Sequence, residues 1–293
     1  MAFLEESMTT AVLGAVVSLW RYPVKSMMGE ELNAAEVAER GLAGDRAYAL
    51  VDSSDGKVAS AKNPRKWPNL FDCRASFPEL VHRAGVPPVR ITLPDGRNVT
   101  STHPDVNQAL STVVGRPVTL ATSAPQGVQF EEYWPDIDGL AFRETVTDLP
   151  LAFGAPPGTF FDYAPIHLLT TATLDRLRDL YSTGRFEVRR FRPNIVATLE
   201  SGEKDFVELH WVGKTLAIGS EVQLQIMAPC PRCVMTTLMQ GDLPYDPGIL
   251  RTIALHTPRM PFASFGEFTA NVGVYANVLR GGTIRRRDRI AVD

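Results

Sequence analysis

What most limits the architecture of this chain is how soon each regular stretch ends. Beyond residue 194, β-favouring runs of four to six residues follow one another at Ile195 to Leu199, Phe206 to Leu209, Thr215 to Ile218 and Val222 to Met227. Gly213-Lys214 and Gly219-Ser220 separate the last three as turns. Leu250 to His256 and Phe268 to Val278 read as further strands, and Thr283 to Arg285 with Asp288 to Ile290 as a closing pair. Many short strands divided by turns predict a barrel or a sandwich. One amphipathic stretch precedes them. After a strand at Pro165 to Leu169, the residues Leu174, Leu177, Leu180 and Tyr181 share a helical face that Gly184 ends.

The first half is also β-rich. Ala15 to Leu19 reads as a strand limited by Pro23, and Leu32 to Glu39 suits a strand or a short helix. Ala47 to Asp52 and Lys57 to Ala61 form a hairpin across Ser53-Ser54-Asp55-Gly56, and Leu93-Pro94-Asp95-Gly96-Arg97 is a second hairpin signal. A helix is expected over Val106 to Val114, capped by Asp105 and ended by Gly115. Thr122 to Pro157 is rich in Pro, Gly, Asp and Thr and lacks sustained periodicity, so it is expected to be a mobile, ligand-facing loop at a domain boundary. With 293 residues, two domains are expected, 1–124 and 125–293.

Composition excludes several classes. A net charge of −3 gives no overall reason for a nucleic-acid or anionic-membrane partner, so any anion site must be local. The apolar run from Ala11 to Leu19 is too short to span a bilayer, and it follows Glu5 and Glu6 where a signal peptide would be basic. Three cysteines, with no framework of paired spacings, fit a reducing compartment, and the cytoplasm is expected.

Two of those cysteines lie in Met227-Ala228-Pro229-Cys230-Pro231-Arg232-Cys233-Val234-Met235-Thr236-Thr237. The proline punctuation is expected to stop strand pairing and present a turn, with Arg232 placed to favour a thiolate. A structural zinc would need a second ligand pair, yet Cys73 is isolated and the five histidines form no HxxxH. A thioredoxin-like pair needs a βαβ setting, whereas β segments flank this motif. Spacing alone leaves open whether these thiols act or merely fill a turn. Lys25, Ser26, Arg46, Thr170, Thr171, Arg192 and Asn194 are polar residues at strand ends. Each alone suits an ordinary surface role, and only convergence on one anion would raise them. No GxSxG elbow, Walker loop or GxGxxG is present.

Leu19-Trp20-Arg21-Tyr22-Pro23-Val24-Lys25-Ser26, Gly44-Asp45-Arg46, Phe191-Arg192-Pro193-Asn194-Ile195 and Cys230-Pro231-Arg232-Cys233-Val234-Met235-Thr236-Thr237 occur in one family in this order. The chain resembles the MOSC domain proteins, in the branch with a MOSC N-terminal domain that includes the amidoxime-reducing components. The resemblance implies an α+β, β-rich fold, with a β-rich N-terminal domain packed on a C-terminal MOSC β-barrel with peripheral helices and a site between them. It implies a molybdenum cofactor, with Cys233 as the metal's sulfur ligand and catalytic centre and Cys230 in a supporting position. Lys25, Ser26, Arg46, Thr170, Thr171, Arg192, Asn194 and Arg232 would meet the cofactor, with Arg232 helping to hold Cys233 anionic. Asn271-Val272-Gly273-Val274-Tyr275 resembles the family's glycine-containing strand near the site.

The implied reaction is reduction of small N-hydroxylated compounds: amidoximes, hydroxamic acids and N-hydroxylated bases. Because no cysteine cluster follows Cys233 before Asp293, electrons are expected from a separate ferredoxin or flavin-reductase type of protein. No nucleic acid or membrane partner is expected. The alternatives are a carrier that delivers cofactor or a Cys233 persulfide to another enzyme, and a dithiol redox protein using Cys230 with Cys233.

Overall fold

The computed structural model describes residues 12–82, 85–140, 143–262 and 266–293. The acidic start with Glu5 and Glu6, and Ala11 of the apolar run, lie outside these. Seven strands close a barrel: β1 (Val12–Arg21), β2 (Ile166–Thr170), β3 (Ile195–Leu199), β4 (Thr215–Ile218), β5 (Val222–Pro231), β6 (Asn271–Arg280) and β7 (Arg289–Val292). Around the barrel the order is β1, β3, β2, β6, β5, β4, β7 and back to β1. A ring with an odd number of strands cannot alternate direction throughout, so at least one neighbouring pair must be parallel. That pair is β2 with β3. A parallel pair needs a crossover, and α2 (Thr171–Leu180) supplies it after α1 (Val106–Val114) has served the N-terminal body. The barrel encloses the larger core, with Leu168, Ile195, Leu216, Leu224, Ile226 and Val274 among its buried residues.

The N-terminal body packs beside the barrel around Trp67, Leu70, Phe71, Ile91 and Leu110. Cys233 and Met235, from the far half of the sequence, complete this second core. In the other direction, β1 belongs to the barrel and joins β3 to β7. Each half therefore lends residues to the other's interior. Among the described residues, no helix is long and apolar enough to cross a membrane.

Several expectations change. Leu250 to His256, read as a strand, lies in α3 (Pro247–His256), where Asp246 caps Gly248 N and Pro247 occupies the first turn. Phe206 to Leu209 runs into a 3-10 helix, Val207–Trp211, rather than a strand. Leu32 to Glu39 is strand, split into Glu30–Leu32 and Ala34–Ala38. Gly115 ends α1 in the left-handed conformation, but Asp105 makes no side-chain cap bond. The stretch expected to be a mobile loop contains a hairpin, Gln129–Trp134 paired with Thr145–Pro150. Pairing also continues through the cysteine motif, since Pro229 and Pro231 stand opposite Val274 and Asn271 across irregular register shifts. Bulged positions release the amides that proline lacks.

Candidate functional site

Backbone pairing at the end of β1 builds the first wall. Tyr22 N donates to Asp45 Oδ1 at 2.7 Å, Arg46 N to Tyr22 O at 2.9 Å and Lys25 N to Tyr48 O at 2.8 Å. Pro23 accepts from Tyr48 N and needs no amide of its own. Asn194 ties this wall to the barrel: its Nδ2 donates to Asp45 Oδ2 at 2.9 Å, and its Oδ1 accepts from His167 N at 3.0 Å. The residues Ser26, Arg46 and Arg192 all hold positive φ, at 62, 46 and 56°. Such conformations are costly for residues with a Cβ, and their concentration here marks a constrained site.

Lys25, Ser26, Arg46, Arg192, Asn194, Arg232 and Cys233 line one cavity, together with Lys62, Asp162, His167 and Tyr275. Five cationic side chains and one carboxylate thus surround it among the described residues. Lys25 pairs with Asp162 and donates to Phe160 O at 3.1 Å. Lys62 reaches Glu132 at 3.0 Å and Asp162 at 3.2 Å. The Arg46 and Arg192 guanidiniums lie 4.5 and 4.1 Å from the centroid of the Tyr22 ring. Burial, then the neighbouring Arg46, pushes Arg192 down to about 10. Burial likewise lowers Lys25 against the pull of Asp162. Burial opposes the charge on Lys62, yet Asp162 and Glu132 hold it well above the usual lysine range.

The thiols divide differently from the expectation. Arg232 Nη1 donates to Cys230 Sγ at 2.7 Å and Nη2 to Phe191 O at 2.9 Å. Its guanidinium thus engages Cys230 rather than clasping Cys233. Cys233 is 7% exposed, and burial pushes its thiol up to about 11, with Lys62 a stronger counterweight than Arg232. Arg232 Nε is buried with no hydrogen-bond partner among the described residues. Gly273 holds φ +80°, and a Cβ there would stand 2.3 Å from His167 Nε2. That imidazole, pushed down to about 3 by burial and by Arg232, has its Nε2 at 3.3 Å from Val272 O.

Thr170 and Thr171 do not join the cavity. Thr170 Oγ1 accepts from Thr173 N to cap α2 and donates to Glu208 Oε2 at 2.6 Å, while Thr171 Oγ1 donates to Thr198 Oγ1 at 3.3 Å. His167 marks the cavity end of β2, and three further residues at about 3.3 Å each carry Thr170 roughly 10 Å away. Lys62 and Asp162 were not singled out in the sequence. Their signal was slight: Lys62 opens a proline-rich connector, and Asp162 follows two phenylalanines. Asn194 lines the cavity, but its amide is already used to hold the walls together.

A closed barrel with a buried thiol and clustered cations at its junction with a second β-rich body defines the class. Residues 13–128 match the MOSC N-terminal beta barrel domain and residues 156–291 the MOSC domain, so the chain belongs to the MOSC domain family. It is 30% identical over 243 residues to mitochondrial amidoxime reducing component 2 of Homo sapiens, covering 77% of this chain and 67% of the relative. The Bos taurus protein of that name is 29% identical over the same span. The solved YUAD protein from Bacillus subtilis aligns over 95% of this chain and 94% of its own, at TM-score 0.45 and 12% identity.

Proposed function

We propose that this chain is a molybdenum cofactor-dependent reductase of N-hydroxylated compounds, with Cys233 as the protein's sulfur ligand to the metal. One observation carries the reading: a buried thiol shares a cavity with five cations and a single carboxylate among the described residues. Behind this lining Asp45 pairs with Arg46 and Glu132 with Lys62, and cations still remain in excess; buried charge without balance is costly, so such a cavity favours an anionic guest. The donor set suits the two ends of the cofactor. Lys25, Ser26, Arg46 and Arg192 would hold its phosphate, for which guanidinium and hydroxyl groups make charge-assisted hydrogen bonds. Ser26 Oγ accepts from Ala61 N at 3.1 Å and keeps its own hydrogen for donation. Cys233 would hold the metal, a soft thiolate being the ligand that a sulfur-rich sphere favours. The unpartnered Nε of Arg232 and the ammonium of Lys62 offer donors beside it. Binding must deprotonate Cys233, so metal uptake should release a proton.

When bound, the cofactor supplies oxygen-atom and two-electron exchange. Overall, the N–O bond breaks, two electrons and two protons enter, and the amine or amidine leaves with water. Lys62, held by Asp162 and Glu132, can orient the N–O group at the cavity edge. Electrons would come from a separate ferredoxin or flavin-reductase type of protein, in keeping with the word component in the relatives' name. A reducing compartment, the cytoplasm, suits the three free cysteines.

Molybdenum content of protein made in a cofactor-producing host, for wild type and Cys233→Ala, tests the ligand. Equal metal in both would sink that assignment. Benzamidoxime turnover with an artificial reductant tests the reaction, and retained cofactor without turnover would favour a carrier.

A further inference from the structure

A second cavity opens beside the first, of equal size at about 670 Å³ including the space at its mouth. Its character is different. Aromatic rings from separate elements form its wall, with centroid distances of 4.6 Å for Tyr163 to Phe262, 5.3 Å for Tyr163 to Tyr275 and 5.9 Å for Phe262 to Phe268. Trp134, from the hairpin Gln129–Trp134, continues this wall at 6.5 Å from Phe268. The pairs are tilted or edge-to-face, so ring faces and edges both border the space. A cluster serving only as filler would close on itself. This one leaves a concavity, beside which Phe153 is 51% exposed.

Both cavities share Lys62, Asp162, Tyr163, Arg232 and Tyr275, so a molecule seated among the rings meets the charged seam beside the Cys233 cavity. At that seam Lys62 Nζ reaches Glu132 and Asp162 and stands 5.0 Å from the Phe130 ring centroid. An ammonium beside two carboxylates matches a head group that both accepts and donates hydrogen bonds. An amidoxime or N-hydroxylated heterocyclic base is such a head: its N–O oxygen accepts, and its amino hydrogens donate.

We infer that the aromatic cavity is the substrate's body pocket, taking the flat aryl or heteroaromatic part of an N-hydroxylated compound while Lys62 and Glu132 hold its head. This chain then selects aryl amidoximes and N-hydroxylated heteroaromatic bases over small aliphatic ones. The assignment deepens the reductase reading above and rests on it for the reaction, but not for the binding. Lys62 donates to the N–O oxygen, and Glu132 accepts from the amino group and afterwards pairs with the cationic amidine product.

Calorimetric titration of the full chain with benzamidoxime and with acetamidoxime tests this. Benzamidoxime is expected to bind at least about tenfold more tightly, and Phe262→Ala to remove most of that difference while leaving acetamidoxime unchanged. Should Phe262→Ala unfold, Phe262→Leu keeps bulk without the π face and must likewise narrow the difference between the two ligands. Equal affinity of the two ligands for wild type, or an unchanged ratio in the folded variant, overturns the pocket. Intact aryl selectivity in a protein that takes up no molybdenum would overturn the reductase reading and leave the pocket standing, whereas metal with no aryl preference would do the reverse.

Discussion

The two ends of β2 both bury polar groups, but they balance charge in opposite ways. At the Thr170 end, one carboxyl, Glu208, receives hydrogen bonds from the hydroxyls of Thr170 and Thr173 at 2.6 and 2.7 Å. Burial raises its pKa against the pull of those two hydrogen bonds, favouring the neutral form. At the His167 end, cations outnumber carboxylates in the cavity and Arg232 Nε lacks a partner among the described residues. Neutral hydroxyls can serve one oxygen of a lone carboxyl, although Glu208 Oε1 keeps no hydrogen-bond partner among the described residues, but they cannot balance a group of cations. One end of the strand holds a single carboxyl among the protein's own hydroxyls, and the other gathers an excess of cations around open space.

The largest test of that contrast is at Cys233. Cys233→Ala should retain less than about a tenth of wild-type molybdenum, because a protein ligand is gone from the proposed metal site. Arg192→Met keeps an apolar stem beside Tyr22 while deleting a buried charge that Arg46 repels. Its cofactor occupancy should fall about tenfold, while denaturant unfolding without cofactor stays within about 1.5 kcal/mol of wild type. A large loss of stability with full occupancy would make Arg192 a structural cation and break the contrast.

The pH dependence of stability should separate the ends next. His167 is pushed down to about 3 in the fold, so the unfolded chain takes the proton first. Stability from its neutral form is present above the ordinary histidine range and is lost as pH falls from about 6.5 toward 3. Glu208 has the opposite sign: its raised pKa contributes stability below the ordinary carboxyl range, which is lost as pH rises through the folded value. In urea unfolding followed across pH, Glu208→Gln should flatten the loss of stability that sets in as pH rises above the ordinary carboxyl range, and leave the loss due to His167 in place. An identical shift at every pH would remove the protonated carboxyl from the account.

The smallest effect belongs to the helix cap. Thr170→Ala should cost about 1 to 2 kcal/mol in thermal unfolding through the lost cap of α2 and the lost hydrogen bond to Glu208, with molybdenum content unchanged. A fall in metal would restore Thr170 to the cofactor site.

These residues also show what a sequence can carry. Lys25, Arg46 and Arg192 stood out because each sits in a local motif, and the structure gathers them around one cavity. Thr170 and Thr171 looked equivalent as strand-end hydroxyls, yet direction along a strand decides which end meets the cavity, and direction is fixed by pairing with β3 and β6. Lys62 and Asp162 act through partners far away in sequence, so no local pattern announces them. The helix α3 was misread because its Ile249, Leu250, Ile253 and Ala254 resemble a buried strand when Asp246-Pro247 is not read as a cap. The hairpin at 129–150 was hidden by its turn-rich surroundings, although Gln129–Trp134 contains the β-favouring residues Phe130, Tyr133 and Trp134.

The strand β1 also dictates the order of assembly. Val12 pairs with Ala291, so the ring stays open until nearly the whole described chain has been made. A fragment limited to 156–291 would lack the strand between β3 and β7 and expose two unpaired edges, the surfaces on which chains associate wrongly. Closure and site formation become one late event, because the strand that seals the barrel leads directly into Tyr22, Lys25 and Ser26. Under the proposed function, a cofactor would find its cavity complete only in a chain whose barrel has closed, which would make β1 a checkpoint on maturation.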